Sequence, residues 1–216
     1  VGNPTVGKRK GKFALPFRFP HKNVREFYLE GKPMKKSSKW TTKMLVTGAV
    51  CLAMSYLLSY LTLWEMPMGG SVTVFSMLPL MIFSWMYGVV PGMTAGVAYG
   101  LLQLIQKPEV YHWIQLLFDY PIAFAMLGLA GCFRKHKDSK WALPAGIVLA
   151  CFCRFLCHFF TGAVYFGQWA PKQTFWGIIA YSASYNGGYM AVEAAMSAVV
   201  CMLPPVQKMI ARLEKV

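Results

Sequence analysis

"LLFDYPIAF", residues 116–124, places one carboxylate and one proline inside a run otherwise suited to lipid. A charge at the bilayer centre costs on the order of 3 kcal/mol even on the lenient insertion scale, so Asp119 needs either a structural partner or a function. The chain around it sets that context. It has 216 residues, 56% of them hydrophobic and 14% charged, against about a quarter charged in an ordinary soluble protein. Its mean hydropathy is +0.41. Between Met44 and Phe133 the charged residues are Glu65, Lys107, Glu109 and Asp119, and the first three lie beside turn signals. This is the composition of a membrane protein, and of those four charges Asp119 is the one that falls within a span.

A spanning helix takes about 20 mostly apolar residues. Working outward from Asp119, the runs 44–63, 72–87, 89–106, 111–133, 141–163 and 176–203 predict six transmembrane helices and an all-α membrane fold. The second and third runs are separated by "YGVVPG", residues 87–92, a Gly/Pro break without charge. A five-span alternative with a re-entrant second segment therefore stays open.

Lysine and arginine in short loops are retained in the cytoplasm. Six spans put "MKKSSKWTTK" (34–43), "RKHKDSK" (134–140) and "QKMIARLEK" (207–215) on one side, and Lys107 and Lys172 on the other. Both termini are thus expected to be cytoplasmic. The formal charge of +14 reads mainly as this topology signal and does not point to nucleic acid. Residues 1–33 are basic, punctuated by proline and lack an apolar run long enough to span. They also lack the apolar centre of a secretory signal. They read as an N-terminal extension, disordered or not native, ahead of a single membrane domain over 34–216.

Most of the six cysteines fall inside apolar runs and read as small packing residues. "CFCRFLCH", residues 151–158, resembles a metal cluster at first, yet on a helix Cys151 and Cys153 point about 200° apart and cannot share an ion with Cys157 and His158. No metal or cofactor is implied. The phosphate-binding pattern GxxxxGK[ST] does not occur, so the chain carries no ATPase motif of that type.

The topology also serves as a depth gauge. At about 1.5 Å of rise per residue, Asp119 lies roughly 12 Å below the outer end of the fourth span, His158 roughly 7 Å below that of the fifth, and Tyr99 roughly 10 Å below that of the third. In the sixth span Tyr181 and Asn186 fall roughly 7 and 15 Å deep. Four helices thus bring polar and aromatic groups to one layer in the outer half. A single carboxylate among Tyr, His and Asn suits a small cationic aromatic ligand, because the carboxylate offsets its charge while ring faces stack on it and attract the cation. Against this stands a structural pairing of Asp119 with Arg154, the one basic residue deep in a span. Taken singly, His158, Tyr99, Tyr181 and Tyr185 are compatible with ordinary packing.

Two outer loops carry the same chemistry: "TLWEMPMGGSVTVFSMLP" (62–79) and "YFGQWAPKQTFW" (165–176). Trp64, Phe166 and Trp169 are candidate lids, with an interfacial aromatic belt as the plainer alternative. In the first helix Ala49 and Ala53 lie one turn apart beside Gly48, a small-residue strip on which another helix can approach closely.

Five stretches, "GGSVTVFSMLPL" (69–80), "GMTAGVAYGLLQ" (92–103), "LLFDYPIAFAMLGLAG" (116–131), "RFLCHFFTGAVYFGQWAPK" (154–172) and "YSASYNGG" (181–188), resemble the thiamin-specific substrate-binding subunits (S components) of energy-coupling-factor transporters. The resemblance runs from about Met44 to Leu203. It implies the six-helix S-component fold and a non-enzymatic subunit that captures thiamin from outside. It also implies partners: a membrane coupling subunit and two ATP-binding subunits that drive uptake. By position, the family's ligand-contacting carboxylate, histidine, tyrosine and asparagine become Asp119, His158, Tyr181 and Asn186. Its docking alanines become Ala49 and Ala53. Where some relatives have a stacking tryptophan this chain has Phe166, with Trp169 nearby. Tyr99, Trp64 and Tyr185 complete the aromatic candidates. The aspartate is one methylene shorter than the glutamate some relatives use.

Three alternatives remain at this point. An S component for another flat vitamin or precursor, such as riboflavin or a hydroxymethylpyrimidine, would depend less on Asp119. A lone proton-coupled transporter would use Asp119 without an ATPase partner. An intramembrane enzyme would need Asp119 and His158 to act without a second aspartate, a matching serine or a metal.

Overall fold

The computed structural model describes residues 40–215. Helix α1 (Thr42–Leu58) is started by Thr41, whose hydroxyl accepts from the Met44 N–H and so satisfies one of the four unpaired amides at a helix start. An antiparallel hairpin follows, β1 (Thr62–Glu65) and β2 (Ser71–Thr73), pairing Thr62 with Thr73, Trp64 with Val72 and Glu65 with Ser71. Then come α2 (Leu78–Tyr87), α3 (Val89–Gln106), α4 (Trp113–His136), α5 (Ala142–Tyr165), α6 (Phe175–Met202) and α7 (Pro204–Lys215). The expected N-terminal extension, 1–33, lies outside the described residues.

The helices fall where six spans were expected, with two differences. Among the described residues, α3, α4 and α5 are long and apolar enough to cross a bilayer, and α6 with α7 forms a fourth candidate bent by 78°, whereas α1 and α2 are shorter apolar helices. The second run was expected to be helical from residue 72, but helix begins only at Leu78. Val72, Thr73 and Val74 are β-branched and favour an extended chain, Val72 and Thr73 pair in the hairpin, and Pro79 sits in the first turn of α2, where proline is tolerated. The all-α expectation thus gains a two-stranded hairpin between α1 and α2. At 10 residues, α2 rises only about 15 Å, half the hydrocarbon thickness.

Gly88, at φ +106°, supplies the turn between α2 and α3, a left-handed conformation that glycine adopts without steric cost. On α3, Gly92, Gly96 and Gly100 recur every fourth residue along the face against α4. A Cβ at Gly96 would lie 2.2 Å from the Phe124 carbonyl oxygen, and one at Gly100 2.6 Å from that of Tyr120. Small residues at this spacing let backbones pack closely where lipid offers no hydrophobic drive for helix association. Leu80, Met81, Leu127, Ala130, Ile147 and Ala150 fill the centre with no exposed surface. The outward faces are apolar as well, with Val50, Leu57, Val90, Ile105, Phe152 and Val199 more than half exposed, as a lipid-facing surface requires.

Candidate ligand-binding pocket

Helix α4 departs from regular geometry where Asp119 sits. Residues Phe118–Ile122 form a π turn with Pro121 inside it. Proline has no N–H to give the preceding turn, and a widened turn absorbs that loss. A single π turn inside a helix often marks a functional site. Here the turn sets Asp119 against α5.

The carboxylate is nearly enclosed, with 13% of its side chain exposed. Its Oδ1 accepts from the Thr161 hydroxyl at 2.5 Å and faces His158 Nδ1 at 2.9 Å, while Oδ2 accepts from Gln115 Nε2 at 2.7 Å. Arg154 fixes the histidine's tautomer. Its Nε points at His158 Nε2 at 3.3 Å. An arginine only donates, so Nε2 offers its lone pair and the ring proton sits on Nδ1, from which it is donated to Asp119. Arg154 thus reaches Asp119 through His158, and the direct pairing considered from the sequence gives way to a chain of three side chains. The guanidinium also lies 4.0 Å above the Phe124 ring and donates to the Met77 sulfur.

Around this chain lies a cavity of about 170 Å³. Asp119, His158, Tyr181, Asn186, Tyr185 and Phe166 all line it. Tyr99 is one layer behind: it is fully buried, donates to the Ser55 carbonyl at 3.2 Å and packs edge-on against Phe124 at 4.9 Å, and Phe124 itself lines the wall. Trp169 also stands outside the lining, packed 5.6 Å from Phe166 and 5.8 Å from Tyr111. Trp64, on β1, is 67% exposed and away from the lining. Ala49 and Ala53 lie on the exposed side of α1, remote from the cavity.

On α6, Tyr181, Tyr185 and Tyr189 succeed one another every fourth residue and present a ladder of rings with centroids 6.1 Å apart at each step. Asn186 is held from both ends: its amide nitrogen donates to the Ser182 carbonyl at 3.0 Å and its oxygen accepts from Tyr189 at 3.1 Å. Gly162 on α5 makes that arrangement possible, since a Cβ there would fall 2.4 Å from Ser182 Oγ and 2.7 Å from Asn186 Nδ2. The β1–β2 hairpin adds Gly69, Gly70, Ser71 and Thr73 to the lining. The Tyr185 hydroxyl donates to the Pro67 carbonyl and accepts from the Gly70 N–H at 3.1 Å.

Several lining residues were not singled out from the sequence. Gln115 holds Asp119 and also donates to the Glu109 carbonyl at 2.8 Å, and Tyr120 ties the same loop through the Lys107 carbonyl at 2.7 Å. Thr161 lies three residues beyond His158, and Gln115 four before Asp119, both on helical neighbour positions. That spacing was the available signal. Among the described residues no group of three or more His, Cys, Asp or Glu side chains is placed to hold a metal ion.

Residues 45–212 match the family described as "Thiamine transporter protein (Thia_YuaJ)". The chain is 38% identical over 151 residues to "Thiamine transporter ThiT" of Bacillus subtilis (strain 168), an alignment covering 64% of this chain and 77% of the relative. It is 31% identical over 141 residues to the ThiT of Lacticaseibacillus paracasei, covering 58% and 69% respectively. The solved structure of ThiT from Listeria monocytogenes superposes with a TM-score of 0.70 at 21% identity, over 80% of this chain and 97% of that one. This last likeness shows a shared fold.

Proposed function

The chain belongs to the thiamine transporter family that its residues 45–212 match, and on that premise we propose that it is the high-affinity thiamin-binding S component of an ATP-driven energy-coupling-factor importer. The family is one of multi-pass membrane transport proteins, not enzymes. The observation that carries the ligand reading is Asp119, a nearly enclosed carboxylate at the wall of a cavity lined by Tyr181, Tyr185, Phe166 and His158.

Thiamin has two flat rings, a permanent positive charge on the thiazolium and an exocyclic amine on the pyrimidine. Asp119 balances the charge. Three donors already address it, out of about four acceptor positions on a carboxylate, which leaves room for one N–H of a ligand. His158 orients the carboxylate, Tyr181 and Asn186 fix the ligand's position, and the rings of Phe166 and Tyr185 stack on the heterocycles. Trp169 and Tyr99 support those walls from behind. Trp64, exposed on the hairpin, stands apart from these contacts.

Transport follows from partners. A membrane coupling subunit docks on the small-residue strip of Ala49 and Ala53, and two ATP-binding subunits supply the energy. Calorimetric titration of the purified protein with thiamin and with its neutral hydroxymethylpyrimidine fragment tests the ligand assignment. The parent should bind thiamin far more tightly, and Asp119→Asn should remove most of that advantage. Equal binding of the charged and neutral ligands by the parent would sink the cation pocket. Co-purification of the coupling and ATP-binding subunits, with uptake abolished by inactivating the ATPase, tests the importer. Uptake by this chain alone would overturn it.

A further inference from the structure

We infer that α7 is an interfacial helix that binds anionic phospholipid at the end of the bundle opposite the pocket. It follows α6 after a bend of 78°, so with α6 crossing the bilayer α7 lies close to the membrane plane. Its residues divide by helical position. Val206 and Ile210 pack onto the bundle core. Met209 and Leu213, on the adjoining stripe, remain 48% and 43% exposed. Lys208 and Arg212, one turn apart, flank that stripe on its other side. Together with Pro205 these four residues line an open groove.

An apolar stripe bordered by basic side chains is the arrangement of helices that lie in the headgroup region, with the apolar groups dipping toward the acyl chains and the cations at phosphate level. Charge complementarity selects the occupant. The inner leaflet carries anionic lipid, and juxtamembrane lysine and arginine are drawn to it. The side facing α7 is the one that also holds the basic loop 134–140, two bundle crossings earlier in the chain. The inference rests on the reading that this side is cytoplasmic, and it is independent of which ligand fills the pocket.

Native mass spectrometry of the full-length protein, released from mixed micelles of phosphatidylcholine and phosphatidylglycerol, tests it. The parent should retain phosphatidylglycerol preferentially. The double variant Lys208→Gln/Arg212→Gln should lose about 30-fold of that preference, the effect expected of two cations near an anionic surface, with thiamin binding unchanged. A control at the other end of the bundle, Lys172→Gln, should keep the preference. Two results would overturn the inference: an undiminished preference in the α7 variant, or a comparable loss in the control. If the α7 variant keeps its lipid preference but no longer co-purifies with the coupling subunit, the face belongs to that subunit instead. Loss of thiamin binding in the parent would count against the ligand reading alone.

Discussion

Glu193 on α6 reaches Thr73 on β2 and accepts from both its backbone N–H and its hydroxyl, each at 2.7 Å. Both residues are buried, and Thr73 also lines the pocket. A buried glutamate here therefore serves the structure by fastening the β1–β2 hairpin to α6. Glu193→Ala strands the buried Thr73 N–H, while the Thr73 hydroxyl keeps Ser76 Oγ at 2.6 Å, at a cost of about 1–3 kcal/mol for an unsatisfied buried group. The variant should melt several degrees lower in detergent and release thiamin faster, because the wall formed by the hairpin is freed. Glu193→Gln keeps an acceptor oxygen and should lie between. Unchanged melting and unchanged dissociation in Glu193→Ala would remove the fastening role.

Gln115 offers a sharper test of how Asp119 is held. Its one amide nitrogen serves both Asp119 Oδ2 and the Glu109 carbonyl, and the residue is 1% exposed. Gln115→Leu keeps much of the volume and removes both bonds, together with the one its side-chain oxygen accepts from the Tyr111 N–H at 3.1 Å. A hydrogen bond to a charged group contributes about 1.5–3 kcal/mol to the fold, so its loss should lower the melting temperature and let Asp119 leave its bound position, and thiamin affinity should fall, with less effect on the neutral pyrimidine fragment. An equal loss for both ligands would mean that the substitution damaged the pocket's shape and left the carboxylate's role untouched.

What the sequence made legible follows from how each feature is encoded. Asp119 stood out because the surrounding apolar run makes its charge expensive; helical depth put His158, Tyr181 and Asn186 in the same layer, and their part in holding a ligand came from the resemblance to the thiamin-binding subunits. Depth says nothing about rotation about the helix axis. Tyr99 sits at a suitable depth yet turns toward Ser55 and Gln103, one layer behind the cavity. The π turn at Phe118–Ile122 also changes which face Asp119 presents, and regular periodicity does not anticipate it. The hairpin was hidden because Val72, Thr73 and Val74 are apolar or β-branched enough to extend a hydrophobic run, and pairing with Thr62–Glu65 is a tertiary fact. Gln115 and Thr161 were overlooked because polar residues near span ends are common, and only their contacts with Asp119 mark them.

The glycine spacing on α3 makes a paired prediction. A Cβ at Gly96 would meet main-chain atoms of α4, 2.2 Å from the Phe124 oxygen, whereas one at Gly188 would meet nothing within 4 Å. Backbone cannot swing aside as a flexible side chain can. Gly96→Ala should therefore separate α3 from α4, at about 1–3 kcal/mol or more for overpacking, and weaken thiamin binding through Phe124 and Tyr120. Gly188→Ala should be neutral or stabilising by up to about 1 kcal/mol, since alanine favours the helix. Thermal melts of the two variants side by side decide the matter. Equal stability would mean that α3 and α4 are not in backbone contact.

The last prediction separates capture from coupling. Ala49 and Ala53 lie on an exposed face of α1 bordered by Leu45, Val46, Val50 and Met54, and a close helix contact there depends on small side chains. Ala53→Leu adds bulk on the lipid side without touching the pocket. Thiamin affinity in detergent should be unchanged, while co-purification with the coupling subunit and ATP-dependent uptake should both fall by about tenfold or more if the contact contributes about 1.4 kcal/mol. The converse substitution, Asp119→Asn, should abolish tight capture and leave co-purification intact. If Ala53→Leu lowers thiamin affinity, α1 takes part in building the pocket. If it leaves both binding and uptake unaltered, the coupling subunit docks on another face.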